Sequence, residues 1–341
     1  MSKEIVETRE AASADNKAEN LSVSVWDSMR PENKRVTEKQ AKSEEKSEAK
    51  TTVDFPSPDK IADGSTTKIE VNVEGTVRNI FMHVPKNYDE SKPTPVVVVF
   101  NGWGDKPGPG GTKAGAAGLE ALTGLSAKAD EKNFFVLYMS GNPKKDLSYN
   151  NGQYPFSKTD DVGYTTAVLE ALNKNYNIDN ERITLTGYSQ GASFAHRAAA
   201  ELPEKFRPAN LVDVSGWTTG KEKPAPEGMN FLSIQSQEDH VAPVDGRWFG
   251  LHMDSEAKSV NRYLQANSLK VDFNVPPVDA ARPEVEEKSW RGATGAKIES
   301  IVLPHYNGHD WHGSPGSSAP VDATEKLVEF IRDTRRVSKP N

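Results

Sequence analysis

From about Thr66 onward, short β-rich runs alternate with longer segments whose apolar residues recur at helical spacing. The runs predict strands at Lys68–Val73, Asn79–Val84, Pro95–Phe100, Phe134–Met139, Arg182–Thr186, Asn210–Val214, Asn230–Gln235 and Lys297–Leu303. The periodic segments predict helices at Ala114–Ala129, Val162–Asn175, Ser189–Glu201, Ser255–Gln265 and Ala323–Thr334. Asp160 and Asp161 stand at the start of the second helix, where carboxylates cap free N–H groups and meet the positive end of the helix dipole. Two leading strands followed by β/α alternation describe an α/β fold: an open, mostly parallel, doubly wound sheet with helices on both faces. Before this pattern begins, residues 1 to about 62 are rich in Lys, Glu, Ser, Ala and Asn, as in EKQAKSEEKSEAK, and have few apolar anchors. Such a segment buries too little to offset the entropy of ordering it, so the expected organisation is a disordered charged tail over 1–62 and one domain over 63–341. Trp26 is the exception in the tail, read either as a docking residue or as a lone aromatic.

Composition removes several classes of function. The chain has 341 residues, with 42 Lys and Arg against 49 Asp and Glu, a formal charge of -7. Its basic residues are scattered, whereas phosphate binding needs a concentrated basic footprint, so nucleic acid is not an expected partner. The absence of cysteine rules out disulfides, thiolate metal sites and cysteine nucleophiles. No apolar run approaches the roughly 20 residues that span a bilayer. The first twenty residues carry charges throughout and lack the apolar stretch of about 7 to 15 residues of a secretory signal. The expected location is the cytoplasm, or outside by a route without a Sec signal.

The segment ERITLTGYSQGASFAHRAAAEL joins a β-rich run to an alanine-rich helix through Gly187-Tyr188-Ser189-Gln190-Gly191. This is G-x-S-x-G in the strand–turn–helix context that gives the motif meaning. The turn forces a strained backbone at the serine, and side chains at either glycine would clash with neighbouring elements. Ser189 is thereby expected at a helix N-terminus, where N–H groups and the dipole favour a developing oxyanion. A serine needs a histidine to take its proton, and that histidine needs an acid to hold its tautomer. In this context the acid and then the histidine follow in the chain. Asp239 is preferred to Glu238 in the loop after NFLSIQSQ, against the alternative of an ordinary acidic turn. After the last strand, IESIVLPHYNGHDWHG offers His305, His309 and His312, and His309 behind Gly308 fits best. His305 reads as a half-buried packing residue bonded to a carbonyl, His312 as solvent-facing or supporting, and His240 as a turn or rim residue. The N–H groups of Gln190 and of Trp103, in the glycine-rich loop after PVVVVF, are the expected oxyanion donors. Loop aromatics Trp103, Tyr149, Tyr154, Phe156, Trp217, Trp248 and Trp311 either wall a pocket for an acyl group or pack on one another. Asn101, Tyr149, Trp217 and Trp311 are the substrate-binding candidates among the loop residues. No metal or cofactor is expected.

With these residues in place, the chain resembles the polyhydroxybutyrate depolymerase and feruloyl esterase group of α/β-hydrolases from about Asn79 to Phe330. The likeness rests on the R-x-x-x-x-H-V-P-like opening of Arg78 to Pro85, GLEALTGLSAKADEKNFFVLYMSG, the serine segment above, QEDHVAPVDG, SWRGATG and NGHDWHG. The resemblance implies hydrolysis of feruloyl, acetyl or polyhydroxyalkanoate-type esters by Ser189, Asp239 and His309 through an acyl-enzyme, without cofactor, on a small or polymeric substrate. The chain departs from the group at the oxyanion loop, where Asn101-Gly102-Trp103 replaces histidine, glycine and cysteine, and in lacking both signal and disulfides. GYSQGA also occurs in cutinases, whose acid and histidine lie closer together, which makes a cutinase-like esterase the second reading. A zinc site on His305, His309, His312 and Asp310 is a weaker rival, since no helix presents those ligands on one face. The rival from another class is a catalytically impaired fold that binds a protein partner through the tail.

Overall fold

The computed structural model describes residues 51–337, apart from Asp54, 57–59, 105–115 and Phe249. Most of the expected tail, Trp26 included, lies outside the described residues, as does the side chain of Trp248. In chain order the strands are β1 (Thr52–Val53), β2 (Ser65–Val73), β3 (Thr76–Val84), β4 (Thr94–Phe100), β5 (Phe135–Met139), β6 (Ile178–Tyr188), β7 (Asn210–Val214), β8 (Asn230–Ser236), β9 (Arg247–Trp248), β10 (Leu251–His252), β11 (Glu286–Arg291) and β12 (Lys297–Leu303). Among the described residues ten of them form one sheet in the order β1-β2-β3-β5-β4-β6-β7-β8-β12-β11, and β9 pairs with β10 apart from it. The strands β5, β4, β6, β7, β8 and β12 run parallel. Antiparallel pairs flank them, β1 to β3 on one side and β11 on the other.

The helices are α1 (Ala116–Thr123), α2 (Leu125–Lys132), α3 (Asp161–Asn175), α4 (Gln190–Glu201), α5 (Glu256–Ala266) and α6 (Ala323–Arg332). Successive residues of a strand face opposite sides, and the two cores follow that alternation. Val96, Val98 and Phe100 of β4 pack with Leu169 of α3, Phe194 of α4 and Leu264 of α5. Val97 and Val99 pack with Leu119 of α1, Leu125 of α2 and Leu327 of α6 on the other face. The central strand is apolar at consecutive positions because both of its faces are dry.

Local conflicts set the boundaries that periodicity misplaces. The helix expected over Ala114–Ala129 breaks at Gly124, whose φ of 63° lies in the left-handed region, and the Gly124 N–H closes α1 on the Glu120 carbonyl. Asp160 caps α3 by accepting the Gly163 N–H at 2.8 Å. Asp161 does not cap: it turns inward and pairs with Arg78 at 2.6 Å, both side chains fully buried. β11, EEKSWR, escapes the hydrophobic pattern because it is an edge strand whose charges deter pairing with another sheet.

The boundary at residue 62 is corrected by the structure. Thr52 and Val53 pair with Asn72 and Val71 of β2, and Phe55 and Ile61 are buried in the core. Averaging over a charged stretch hides these few anchors. A chain starting at residue 63 is therefore expected to melt below one starting at residue 51. Two buried side chains at about 1.5–3 kcal/mol each correspond to a Tm difference of roughly 5 to 15 °C. Equal Tm values in thermal scans would place Thr52–Ile61 outside the cooperative unit.

Candidate active site

Strand order reverses at β4, which connects to β5 on one side and is paired with β6 on the other. In such sheets the loops diverge at that switch point and leave a crevice outside the carboxyl ends of the strands. Phe100 pairs with Gly187 there, so the loop Asn101-Gly102-Trp103 leaves β4 beside the Tyr188-Ser189 turn that leaves β6. Ser189 has φ 56° and ψ -125° and precedes the first residue of α4. A Cβ on Gly191 would overlap the carbonyl oxygens of Phe100 and Asn101, and one on Gly187 would lie 2.6 Å from the Gly191 carbonyl carbon. Glycine is required at both positions by this close approach, and the Ser189 N–H is held by the Val214 carbonyl at 3.0 Å.

The structure brings Ser189, His309 and Asp239 together. Ser189 Oγ lies 2.9 Å from His309 Nε2, and His309 Nδ1 lies 2.7 Å from Asp239 Oδ2. This is consistent with Nδ1–H donating to the carboxylate and the serine hydroxyl donating to Nε2, a tautomer assigned from the hydrogen-bond network. Asp239 is 2% exposed, and its other oxygen accepts the N–H groups of Val241 at 2.7 Å and Ala242 at 3.0 Å. Glu238 and His240 on either side are exposed. The loops that carry Asp239 and His309 run side by side because Leu303 at the end of β12 pairs with Ser236 at the end of β8.

Asn101 and Gln190, on either side of the Ser189 turn, act as braces. Asn101 is wholly buried; its Oδ1 accepts the Gly141 N–H and the Tyr149 hydroxyl, both at 2.9 Å, and its Nδ2 donates to the Leu147 carbonyl at 3.0 Å. Gln190, as first residue of α4, has no intrahelical acceptor for its own N–H. Its side chain is clamped at two points, accepting the Tyr149 N–H at 3.0 Å and donating to the Tyr149 carbonyl at 2.8 Å. Asn101 and Tyr149 therefore belong to the interior, not to a substrate wall, and Tyr149 stacks on Phe194 at 4.8 Å. Trp311 is corrected likewise: it is buried against α6 and donates to Thr324 Oγ1. Trp217 does lie in a loop cluster, with Phe156, Ala242 and Met253 and with Trp103 packed against it. Trp103 and Phe156 meet edge to face at 5.3 Å.

The three loop histidines have separate partners. His305 is exposed and bonds the Arg282 carbonyl. His312 does not face solvent: it is fully buried, with Nδ1 2.8 Å from Asp310 Oδ1 and Nε2 3.4 Å from Ser236 Oγ. Among the described residues no group of three or more His, Asp or Glu side chains could hold a metal ion, and no helix is long and apolar enough to cross a membrane. Sequence reasoning passes over two contacts that lie inside the motif itself, the Gln190 clamp and a hydrogen bond from the Tyr188 hydroxyl to the His309 carbonyl at 2.6 Å.

Known proteins place the arrangement in context. A family model described as "Putative esterase" matches residues 72–248, a stretch that includes Ser189 and Asp239 and ends before His309. The chain is similar to "Putative esterase NocK" of Nocardia uniformis subsp. tsuyamanensis, 26% identical over 290 residues that cover 79% of this chain and 81% of that one. It is also similar to "Probable feruloyl esterase C" of Aspergillus terreus, 25% identical over 202 residues, 58% of this chain and under two thirds, 64%, of that one. Its fold resembles that of the solved acetyl xylan esterase from Aspergillus awamori, with a TM-score of 0.52 and 12% identity over 78% of this chain and 98% of that one.

Beneath α4 lies a second polar layer. His196 on α4 joins Asp213 Oδ2 at 2.9 Å to the Tyr263 hydroxyl at 2.6 Å, all three buried. Glu256 lies near Asp213 and accepts the Ser300 hydroxyl at 3.1 Å. Burial pushes its carboxyl up to about 8, the Asp213 carboxylate adding to the rise and the Ser233 and Ser300 hydroxyls opposing it. Between about pH 4.5 and about 8, the folded chain holds a proton that the unfolded chain has released. Stability from this group is thus complete at low pH and is lost as pH rises through about 8. Glu256→Gln is expected to gain on wild type across that window, by an amount on the order of a few kcal/mol. Denaturant melts of both proteins at pH 5 and 8.5 measure it; a constant difference between them would assign the pH dependence elsewhere.

Proposed function

The chain belongs to the esterase family and is a serine ester hydrolase of α/β-hydrolase fold, and from that premise we propose that Ser189, His309 and Asp239 are its catalytic triad. The observation that carries the proposal is the unbroken chain of hydrogen bonds from Ser189 Oγ through His309 to buried Asp239. Ser189 Oγ attacks the ester carbonyl carbon while its proton passes to His309 Nε2. The oxyanion that forms is held by the N–H groups of Gln190 and Trp103. His309 then gives its proton to the leaving alcohol, and an acyl-enzyme remains on Ser189. Water, giving a proton to His309, attacks the acyl carbon; the bond to Ser189 Oγ then breaks, His309 returns that proton to Oγ, and the carboxylic acid is released. Asp239 stays ionised throughout and steadies the imidazolium.

The apolar cluster of Phe156, Trp217, Ala242 and Met253, with Trp103 at its edge, supports an acyl group with aromatic or compact apolar character. Similarity to a protein named as a feruloyl esterase agrees with that class. Feruloyl esters are the first substrates to test, beside acetyl and hydroxyalkanoyl esters.

Ser189→Ala and His309→Ala are each expected to lower kcat roughly 10⁴-fold or more, and the double variant little further, because residues acting as a unit are not additive. Asp239→Asn is expected to lose orders of magnitude, while Glu238→Gln stays near wild type. Assays on p-nitrophenyl and feruloyl esters of graded acyl size, with organophosphonate labelling, provide the measurement. An active Ser189→Ala protein, or label on another residue, would remove Ser189 as nucleophile.

A further inference from the structure

We infer that Tyr188, the residue before the nucleophile, is a positioning residue for the general base. This rests on the reading of Ser189 and His309 as nucleophile and base. The side chain of His309 is oriented by Asp239 at Nδ1, but that contact alone leaves the backbone of the base loop free to shift. Tyr188 closes that freedom: its hydroxyl donates to the His309 carbonyl at 2.6 Å, and its ring lies 5.1 Å from the imidazole with the planes tilted by 43°. The carbonyl and the imidazole diverge from the same Cα, so fixing one limits the swing of the other. The tyrosine sits on the same rigid turn as Ser189, and its hydrogen bond therefore ties base to nucleophile through a single element.

Three further observations support the assignment. Tyr188 is buried, and a Cβ on Gly102 would come within 2.9 Å of its Cδ1, so the oxyanion loop packs directly on the ring and leaves it little room to rotate. Burial, together with the nearby Asp239 and Asp310 carboxyls, holds the phenol well above its ordinary range, so it remains a donor across the working pH of an esterase. The rest of the base loop is tied down independently, Asp310 accepting from the Tyr306 hydroxyl at 2.7 Å and lying 2.8 Å from His312 Nδ1. Loss of the Tyr188 hydroxyl should thus displace His309 without unravelling the loop. Misplacement of a reacting group by about 1 Å costs on the order of 10²-fold.

Tyr188→Phe keeps the ring and removes only the donor. The expected result is a kcat lower by roughly 10- to 100-fold, a KM within about twofold, organophosphonate labelling slowed in proportion to kcat, and a Tm within a few degrees of wild type. Tyr188→Met, a flexible apolar side chain also without a donor, carries the same test should the phenylalanine variant fold poorly. Tyr263→Phe is the control, since it removes another buried hydroxyl, on His196, that touches none of the three residues; it should lower Tm and leave kcat within about twofold. A folded Tyr188 variant with kcat within twofold of wild type overturns the inference, as does a raised KM at unchanged kcat, which would make Tyr188 a substrate contact. So does an equal loss of kcat in the Tyr263 control. Ser189→Ala assayed alongside separates the two levels: activity there close to wild type removes the nucleophile reading itself, whereas a Ser189→Ala lowered by roughly 10⁴-fold with a fully active Tyr188→Phe removes only the role of the tyrosine.

Discussion

The first turn of α4 passes so close to the end of β4 that there is no room for a side chain between them, and the chemistry of the site depends on that contact. Gly191 lies against the carbonyls of Phe100 and Asn101, Gly187 lies against Gly191, and the backbone between them is forced to a positive φ at Ser189. A non-glycine residue in such a conformation costs on the order of 1–3 kcal/mol and persists only where its surroundings over-determine it. Here they do so, because β4, β6 and β7 are buried on both faces and leave the turn no alternative path. The same approach sets the Asn101-Gly102-Trp103 loop beside Ser189, so one steric condition places both the hydroxyl proposed to attack and the groups proposed to receive the charge.

The loops around this turn are held by buried polar contacts, not by apolar packing alone. The segment between β5 and α3 is pinned at its far end by Arg78, which pairs with Asp161 and donates to Thr159 Oγ1 at 2.7 Å, while Asp161 accepts the Asn150 N–H. At its near end Tyr149 is gripped by Gln190 and Asn101. Breaking one partner of a buried pair such as Arg78–Asp161 leaves an uncompensated charge, a loss of about 3–5 kcal/mol, whereas the intact pair itself adds little net stability. Such contacts therefore specify where the loops go more than they hold the domain together. Asp310 and His312 do the same for the loop that carries His309, and His196, Asp213 and Tyr263 for the underside of α4.

Much of this was legible in the chain because it is local. Alternation of β-rich and helical runs reports the α/β class, since strand and helix periods are properties of neighbouring residues. The glycines flanking Ser189 report a tight turn for the same reason, and the order of serine, acid and histidine narrows the partners to two loops. Asp239 and Glu238 are adjacent, so spacing does not separate them; in the fold Asp239 is buried and accepts the N–H groups of Val241 and Ala242, whereas Glu238 is exposed. The short anchors Phe55 and Ile61 were hidden because composition is an average, and β11 because an edge strand need not be apolar.

By itself, then, the sequence determined the sheet class, the tight turn at Ser189 and the pair of loops that come to lie beside it, because each is written in spacings of a few residues. The tertiary structure alone decided which polar and aromatic loop residues face the crevice and which are consumed as braces. Tyr149 and Gln190 are 41 positions apart, and Tyr188 and the His309 carbonyl 121. No local pattern encodes such pairs, because a side chain is drawn inward only when a distant backbone group arrives to satisfy it, and that arrival is a property of the folded chain.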